Sequence, residues 1–169
     1  VPLRSAPARR GTAMSFPSIA PPAVLSDLDI AEANIDRYQA YCTDQKLHLR
    51  PHIKTHKLPL LAKRQLEAGA VGICCQKVSE AEAMISEGGV ENVLITYNIL
   101  GAEKLACLRA LSDTVRLSVV ADSTTTVDGL SDTFANAPTP LTVLVACDTG
   151  SARSGVLTSE PARRLPAYI

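Results

Sequence analysis

Residues 50–57 read Arg50-Pro51-His52-Ile53-Lys54-Thr55-His56-Lys57, a run whose residue types can do chemistry. Read as the end of a strand, alternation puts Arg50, His52, Lys54 and His56 on one face. Positive neighbours and partial burial both disfavour an ammonium group. A lysine that gives up its proton is a nucleophilic amine, the group that forms Schiff bases with carbonyl compounds. The same eight residues also read as a basic, solvated loop, and residue types alone leave both readings open.

The elements that must position this run follow from periodicity and punctuation. Residues 23–28 read as a strand behind Pro21-Pro22. Asp27 or Asp29 can cap a helix over 30–42. A strand is expected over 47–54, with Pro51 near its end, where a missing amide donor is tolerated. A helix over 60–67 ends at Gly69, the left-handed position after a helix. Residues 70–75 are continuously apolar, the pattern of a strand buried on both faces. Ser79 and Glu82 fit a capping box that opens a helix to about residue 87, closed by Gly88-Gly89. Strands over 93–97, 115–121 and 141–147 alternate with helices over 102–111 and 123–135. Asp148-Thr149-Gly150 turns away from the last strand, and another helix starts near Pro161. Strand and helix in this alternation, with short connections, argue for parallel βαβ units wound in one direction. Periodicity does not choose between a barrel and an open doubly wound sheet.

Lys54, Gln76, Asn98 and Asp148 fall at or just past predicted strand ends, where β/α folds place their active sites. His52 shares the predicted face of Lys54; it reads equally as a ligand contact or as a supporting core histidine. His56 and Lys57 turn into the next helix and read as structural. Gln76 offers a neutral amide that can hydrogen-bond a ligand oxygen or face water. Asp27, Asp29 and Asp148 form no obvious carboxylate pair or metal cluster. The glycines build neither a dinucleotide fingerprint nor a Walker loop, so a nucleotide reading has little support.

Composition narrows the class. The 169 residues are 46% hydrophobic and 20% charged, enough for one domain with a core. A formal net charge of zero removes the electrostatic case for nucleic acid or an anionic membrane as partner. Aromatic residues are 4% with no tryptophan, so no base-stacking platform is evident. No apolar run approaches the ~20 residues that span a bilayer. Cys42, Cys74, Cys75, Cys107 and Cys147 contain no CxxC pair and read as reduced thiols of a cytoplasmic protein. Residues 1–13 are rich in proline, arginine and alanine without apolar periodicity. Residues 1–20 are expected to be a disordered leader or an artefact upstream of a start at Met14, in preference to a transit peptide.

The wording of the run, RPHIKTHK at 50–57, resembles the signature of the D-threonine aldolase and D-serine dehydratase-like family, which is alanine racemase-like in fold. The resemblance continues through AGAVGICCQKVSEAEAM at 68–84 and reaches CDTGSARSGV at 147–156. It implies an α/β fold, an eight-stranded β/α barrel followed by a β-rich domain. Of that template, residues 21–169 would be the N-terminal part, with the late strands and the second domain absent. A full barrel takes ~200 residues or more. On the same reading the strand at 23–28 pairs with the β-rich domain rather than the barrel.

The resemblance implies pyridoxal phosphate, bound as a covalent imine at Lys54, with His52, Gln76 and Arg153 as cofactor-binding residues. Arg153 stands in DTGSARSG, which departs from the family's DTGMxRxG turn at Ser151 and Ala152. A divalent metal is implied as well, with its ligands outside this chain. The activity implied is cleavage of a D-β-hydroxy-α-amino acid to glycine and an aldehyde. The alternatives are D-serine dehydration or a non-catalytic pyridoxal phosphate-binding protein. Racemases of this fold carry different wording around the lysine. A small-molecule substrate and a homodimer are expected, and the chain alone is expected to bind the cofactor poorly and turn over little.

Overall fold

The computed structural model describes residues 18–169, so the leader expected at 1–20 lies outside it except for its last three positions. Asp27 caps α1 (Leu28–Asp44), its Oδ1 accepting the Ile30 amide at 3.1 Å. Residues 23–27 form no strand. They are exposed, Val24 at 96%, and lead as an extended entry segment into the cap.

The strand expected over 47–54 is also corrected. Val71 donates to the Leu49 carbonyl at 2.9 Å and Cys74 to the Pro51 carbonyl at 2.7 Å. Three residue steps on one side therefore face two on the other, which is a bulge. Pro51 has no amide to return. A single parallel bridge, His52 to Cys74, is what remains of the ladder. The chain then closes into a 3-10 turn over Ile53–Thr55. The face predicted for Arg50, His52, Lys54 and His56 does not exist as such. Arg50 reaches sideways to the start of a neighbouring strand, its Nη1 3.0 Å from Asn92 Oδ1.

Helix α2 (Pro59–Glu67) follows, with proline at its first turn, where no amide partner is needed. Gly69 ends it at φ +119°. The remaining elements alternate as β1 (Ile73–Cys75), α3 (Val78–Ser86), β2 (Asn92–Ile95), α4 (Ala102–Leu111), β3 (Arg116–Ala121), α5 (Thr124–Phe134), β4 (Thr142–Val145) and α6 (Ser159–Tyr168). Ser123 caps α5 through the Thr126 amide. The capping box expected at Ser79 is not formed: the cap of α3 falls two residues earlier, at Lys77, with no side-chain cap bond.

The four strands form one parallel sheet in the order β1-β2-β3-β4. Strand order that follows chain order, with a helix after each strand, is the winding of a β/α barrel; here the sheet is open. Register aligns Cys75, Ile95, Val119 and Val143 on one face. That face meets the helices through Ala81, Met84, Leu108 and Leu130 and forms the core. The opposite face carries Cys74, Leu94, Ser118, Val120 and Leu144, and Leu144 is 45% exposed. Burial on both faces, expected for the strand at 70–75, is met in β1, whereas β2 and β3 alternate. Among the described residues, no helix is long and apolar enough to cross a membrane.

Gly72 sits at the bulge with φ +154°. A Cβ there would lie 2.4 Å from Arg50 Nη1 and 2.5 Å from the Asn92 carbonyl oxygen. The arginine can swing away; the backbone oxygen cannot. Gly72→Ala is expected to lower unfolding stability by about 2 kcal/mol, measured by urea denaturation; an unchanged midpoint would contradict the bulge.

Candidate active site

The C-terminal ends of the strands gather most of the polar side chains of interest. The 3-10 turn points Ile53 into the core, where it is fully buried. That anchor leaves Lys54 exposed on the other side. The partial burial expected of Lys54 is therefore absent. Among the described residues, no carboxylate lies within ion-pair distance of its Nζ. The rim thus presents an unpaired primary amine.

His52 holds this turn. Its Nδ1 accepts the Lys54 amide at 3.3 Å, and its Nε2 lies 3.1 Å from Thr96 Oγ1, just past the end of β2. Burial and the nearby Lys54 charge lower its pKa below the ordinary histidine value, against a smaller opposing pull from Glu80. The ring is neutral near pH 7, with both nitrogens occupied. His56 repeats the device, its Nδ1 accepting the Leu58 amide at 3.0 Å ahead of α2. Burial lowers its pKa too, with Gln65 and Leu58 opposing. The two histidines therefore brace the backbone on either side of Lys54.

Glu80 carries weight that the sequence reading did not assign to it. It is buried on α3, and its Oε2 accepts the Gln76 amide at 2.8 Å. Lys57 Nζ stands 3.2 Å from the other oxygen, as an ion pair rather than an aligned hydrogen bond. Burial pushes the carboxyl up, but the Gln76 amide, Lys57 and Lys77 outweigh it and hold it below the usual carboxylate range. Lys57 takes up this position with φ +54°. Gln76 itself is exposed just past β1.

A second network ties the ends of β2, β3 and β4. Asn98 Nδ2 donates to Asp122 Oδ1 at 2.7 Å, and the Gly155 amide donates to Asp122 Oδ2 at 2.9 Å. Asn98 Oδ1 is buried with no partner. Gln76 and Asn98 share the wall of a cleft of about 550 Å³ with Lys77, Tyr97, Glu103 and Lys104; Lys54 does not line it. Asp148 Oδ1 accepts the amides of Gly150 and Ser151, both at 2.8 Å. Backbone donors, Gly150 foremost, lower its pKa. Arg153 is exposed on the loop after β4.

The structure therefore joins His52 to Lys54 directly, and links Gln76 to the same turn through Glu80 and Lys57. It does not join Arg153 to them: β1, β2 and β3 lie between their strand ends. Thr96, Glu80 and Asp122 escaped the sequence reading. A signal existed for Thr96 and Asp122, each a polar residue closing an apolar strand. The cysteines are free, and burial pushes Cys75 up to about 12, so its thiol is not a nucleophile. Among the described residues, no cluster of three histidine, cysteine or acidic groups could hold a metal ion.

Residues 26–169 match the family described as alanine racemase, N-terminal domain. D-threonine aldolase of Arthrobacter sp. is 39% identical over 135 residues, 80% of this chain and 35% of that protein. 3-Hydroxy-D-aspartate aldolase of Paracoccus denitrificans is 36% identical over 149 residues, 87% of this chain and 38% of that protein. Among solved structures, the D-threonine aldolase from Filomicrobium marinum superposes with a TM-score of 0.84 at 40% identity, covering 89% of this chain and 40% of that one. The chain thus spans between a third and two fifths of the length of these relatives.

The lowered pKa values of His52, His56, Glu80 and Asp148 all act in one direction, and two of them, at His52 and Glu80, lie at the lysine turn. The folded state binds fewer protons than the unfolded one at both His52 and Glu80. Their contributions are complete above the unfolded values of 6.5 and 4.5, and are lost as pH falls through the folded ones. Stability should rise from pH 4 to about pH 7 in urea titrations. Glu80→Ala, which leaves the Gln76 amide unpaired, is expected to cost about 2 kcal/mol at neutral pH and to flatten the acid limb of that curve.

Proposed function

The chain belongs to the alanine racemase N-terminal domain family, and from that premise we propose that it supplies the lysine-bearing part of a pyridoxal phosphate-dependent aldolase. The substrate class is D-β-hydroxy-α-amino acids, cleaved to glycine and an aldehyde. The observation that carries this reading is Lys54: an exposed, unpaired amine on a braced turn at the C-terminal rim of a parallel β/α sheet. The aldolase names of its relatives support the reaction class.

The residues present suit the cofactor. Lys54 Nζ is free to bond its aldehyde carbon, and the orphaned Asn98 Oδ1 is an acceptor in want of a donor at the same rim. Gln76 is a further amide there, able to donate or accept. Arg153, exposed beyond β4, offers a guanidinium suited to a carboxylate or phenolate oxygen. When bound, pyridoxal phosphate supplies an electron sink for the pair left on Cα as the Cα–Cβ bond breaks. Lys54 would hold the cofactor through its side-chain amine, the nucleophile that condenses with the cofactor's aldehyde.

His52 is not the base that takes the β-hydroxyl proton, since both ring nitrogens are engaged. That base, the phosphate site and a divalent metal are assigned to parts of the protein beyond this chain.

The test is made on the complete gene product with pyridoxal phosphate, reduced with borohydride and mapped by peptide mass. A phosphopyridoxyl group on Lys54, lost in Lys54→Ala, is expected, together with glycine release from D-threonine. Pyruvate from D-serine would instead identify a dehydratase. Modification at Lys54 without turnover of either would leave a binding protein. A folded product with Lys54 unmodified overturns the proposal.

A further inference from the structure

We infer that Thr96 is a positioning residue for Lys54, acting through His52; this rests on the reading that Lys54 carries the cofactor. The argument is one of hydrogen-bond direction. Thr96 follows β2 directly, and its Oγ1 lies 3.3 Å from the Cys75 carbonyl and 3.1 Å from His52 Nε2. A carbonyl can only accept, so the single hydroxyl proton of Thr96 goes to Cys75. The hydroxyl oxygen then has only lone pairs to offer His52, so Nε2 must donate. A neutral imidazole with its proton on Nε2 has a bare Nδ1. That nitrogen receives the Lys54 amide at 3.3 Å. Every donor in the chain Lys54 N–H to His52 to Thr96 to Cys75 has one acceptor, and one tautomer satisfies them all.

The consequence is local order where it bears on chemistry. The Lys54 amide lies in the first turn of a 3-10 helix, where an amide has no partner inside the helix. His52 supplies the partner, and Thr96 keeps the ring in the tautomer that can. The Thr96 amide also bonds the Cys75 carbonyl at 2.9 Å, which ties the hydroxyl to the rigid edge between β1 and β2. The lysine turn is therefore keyed to the sheet by a hydroxyl that itself touches no part of Lys54. A valine here keeps the shape and removes the key; a serine keeps the key.

Amide hydrogen exchange of Lys54 in the cofactor-free complete gene product reads this directly. Thr96→Val is expected to speed exchange at Lys54 by about tenfold, the loss of one modest hydrogen bond. Amides of Val93 and Val119 in β2 and β3 should keep their wild-type rates, and Thr96→Ser should restore protection at Lys54. Borohydride trapping at Lys54 with limiting pyridoxal phosphate should fall in Thr96→Val and recover in Thr96→Ser. Should the valine variant not fold, Thr96→Ala removes the same hydroxyl without burying a methyl in its place and stands in for it in the comparison. Unchanged exchange at Lys54, acceleration spread evenly through β2 and β3, or failure of serine to rescue overturns the inference. Altered exchange at Lys54 in a protein whose wild type is never trapped there would sink the cofactor reading and leave the positioning intact.

Discussion

The structure depends on where one short parallel ladder stops. Residues 49–52 run beside the approach to β1, held by the Leu49 and Pro51 carbonyls. Pro51 has no amide to extend the ladder, and the bulge at Gly72 takes the opposing chain out of step. The chain must therefore turn within a few residues of Pro51. A fully buried Ile53 pins the turn from beneath, and Lys54 is left facing outward. Had the strand continued to residue 54, as alternation alone suggests, Lys54 would have been one more side chain of a sheet face.

Charge around the turn is arranged with little redundancy. Two lysines stand three residues apart, and the buried carboxylate of Glu80 takes one of them, Lys57. Lys54 is left without an anionic partner among the described residues. The histidines on either side add no positive charge near pH 7, because burial keeps both neutral. Their Nδ1 atoms serve as backbone acceptors instead. A run that reads as a block of cations is, once folded, one arginine bonded to Asn92, one paired lysine, one unpaired lysine and two neutral caps.

The rim divides into two halves. One is the lysine turn with Glu80 and Thr96. The other is the Asn98–Asp122–Gly155 network, which fastens the loop after β4 to β3. A β/α barrel closes by bringing its first and last strands together; in this open sheet the halves meet past β2, where Thr96 and Asn98 stand two residues apart, and Arg153 follows β4 at the far end of the strand order.

Much was legible in the sequence because it is governed by short range. Helix α4 was read with both ends correct, and α2 and α5 to within a residue, because caps, prolines and glycines act on their immediate neighbours. The βαβ alternation and the octet around Lys54 were visible for the same reason. Local patterns misled at 23–28, where the chain runs extended into the cap of α1 without pairing to a strand among the described residues, and at 79–82, where a capping-box spelling lies inside an existing turn of α3. What only the tertiary structure decided lies at long separation. Arg50 meets Asn92 across 42 residues, and His52 meets Thr96 across 44. Glu80 on α3 meets Lys57, in the connection that leads into α2. No periodicity encodes such pairs, because they are set by which strand lies beside which, and that is settled only when the sheet packs against its helices.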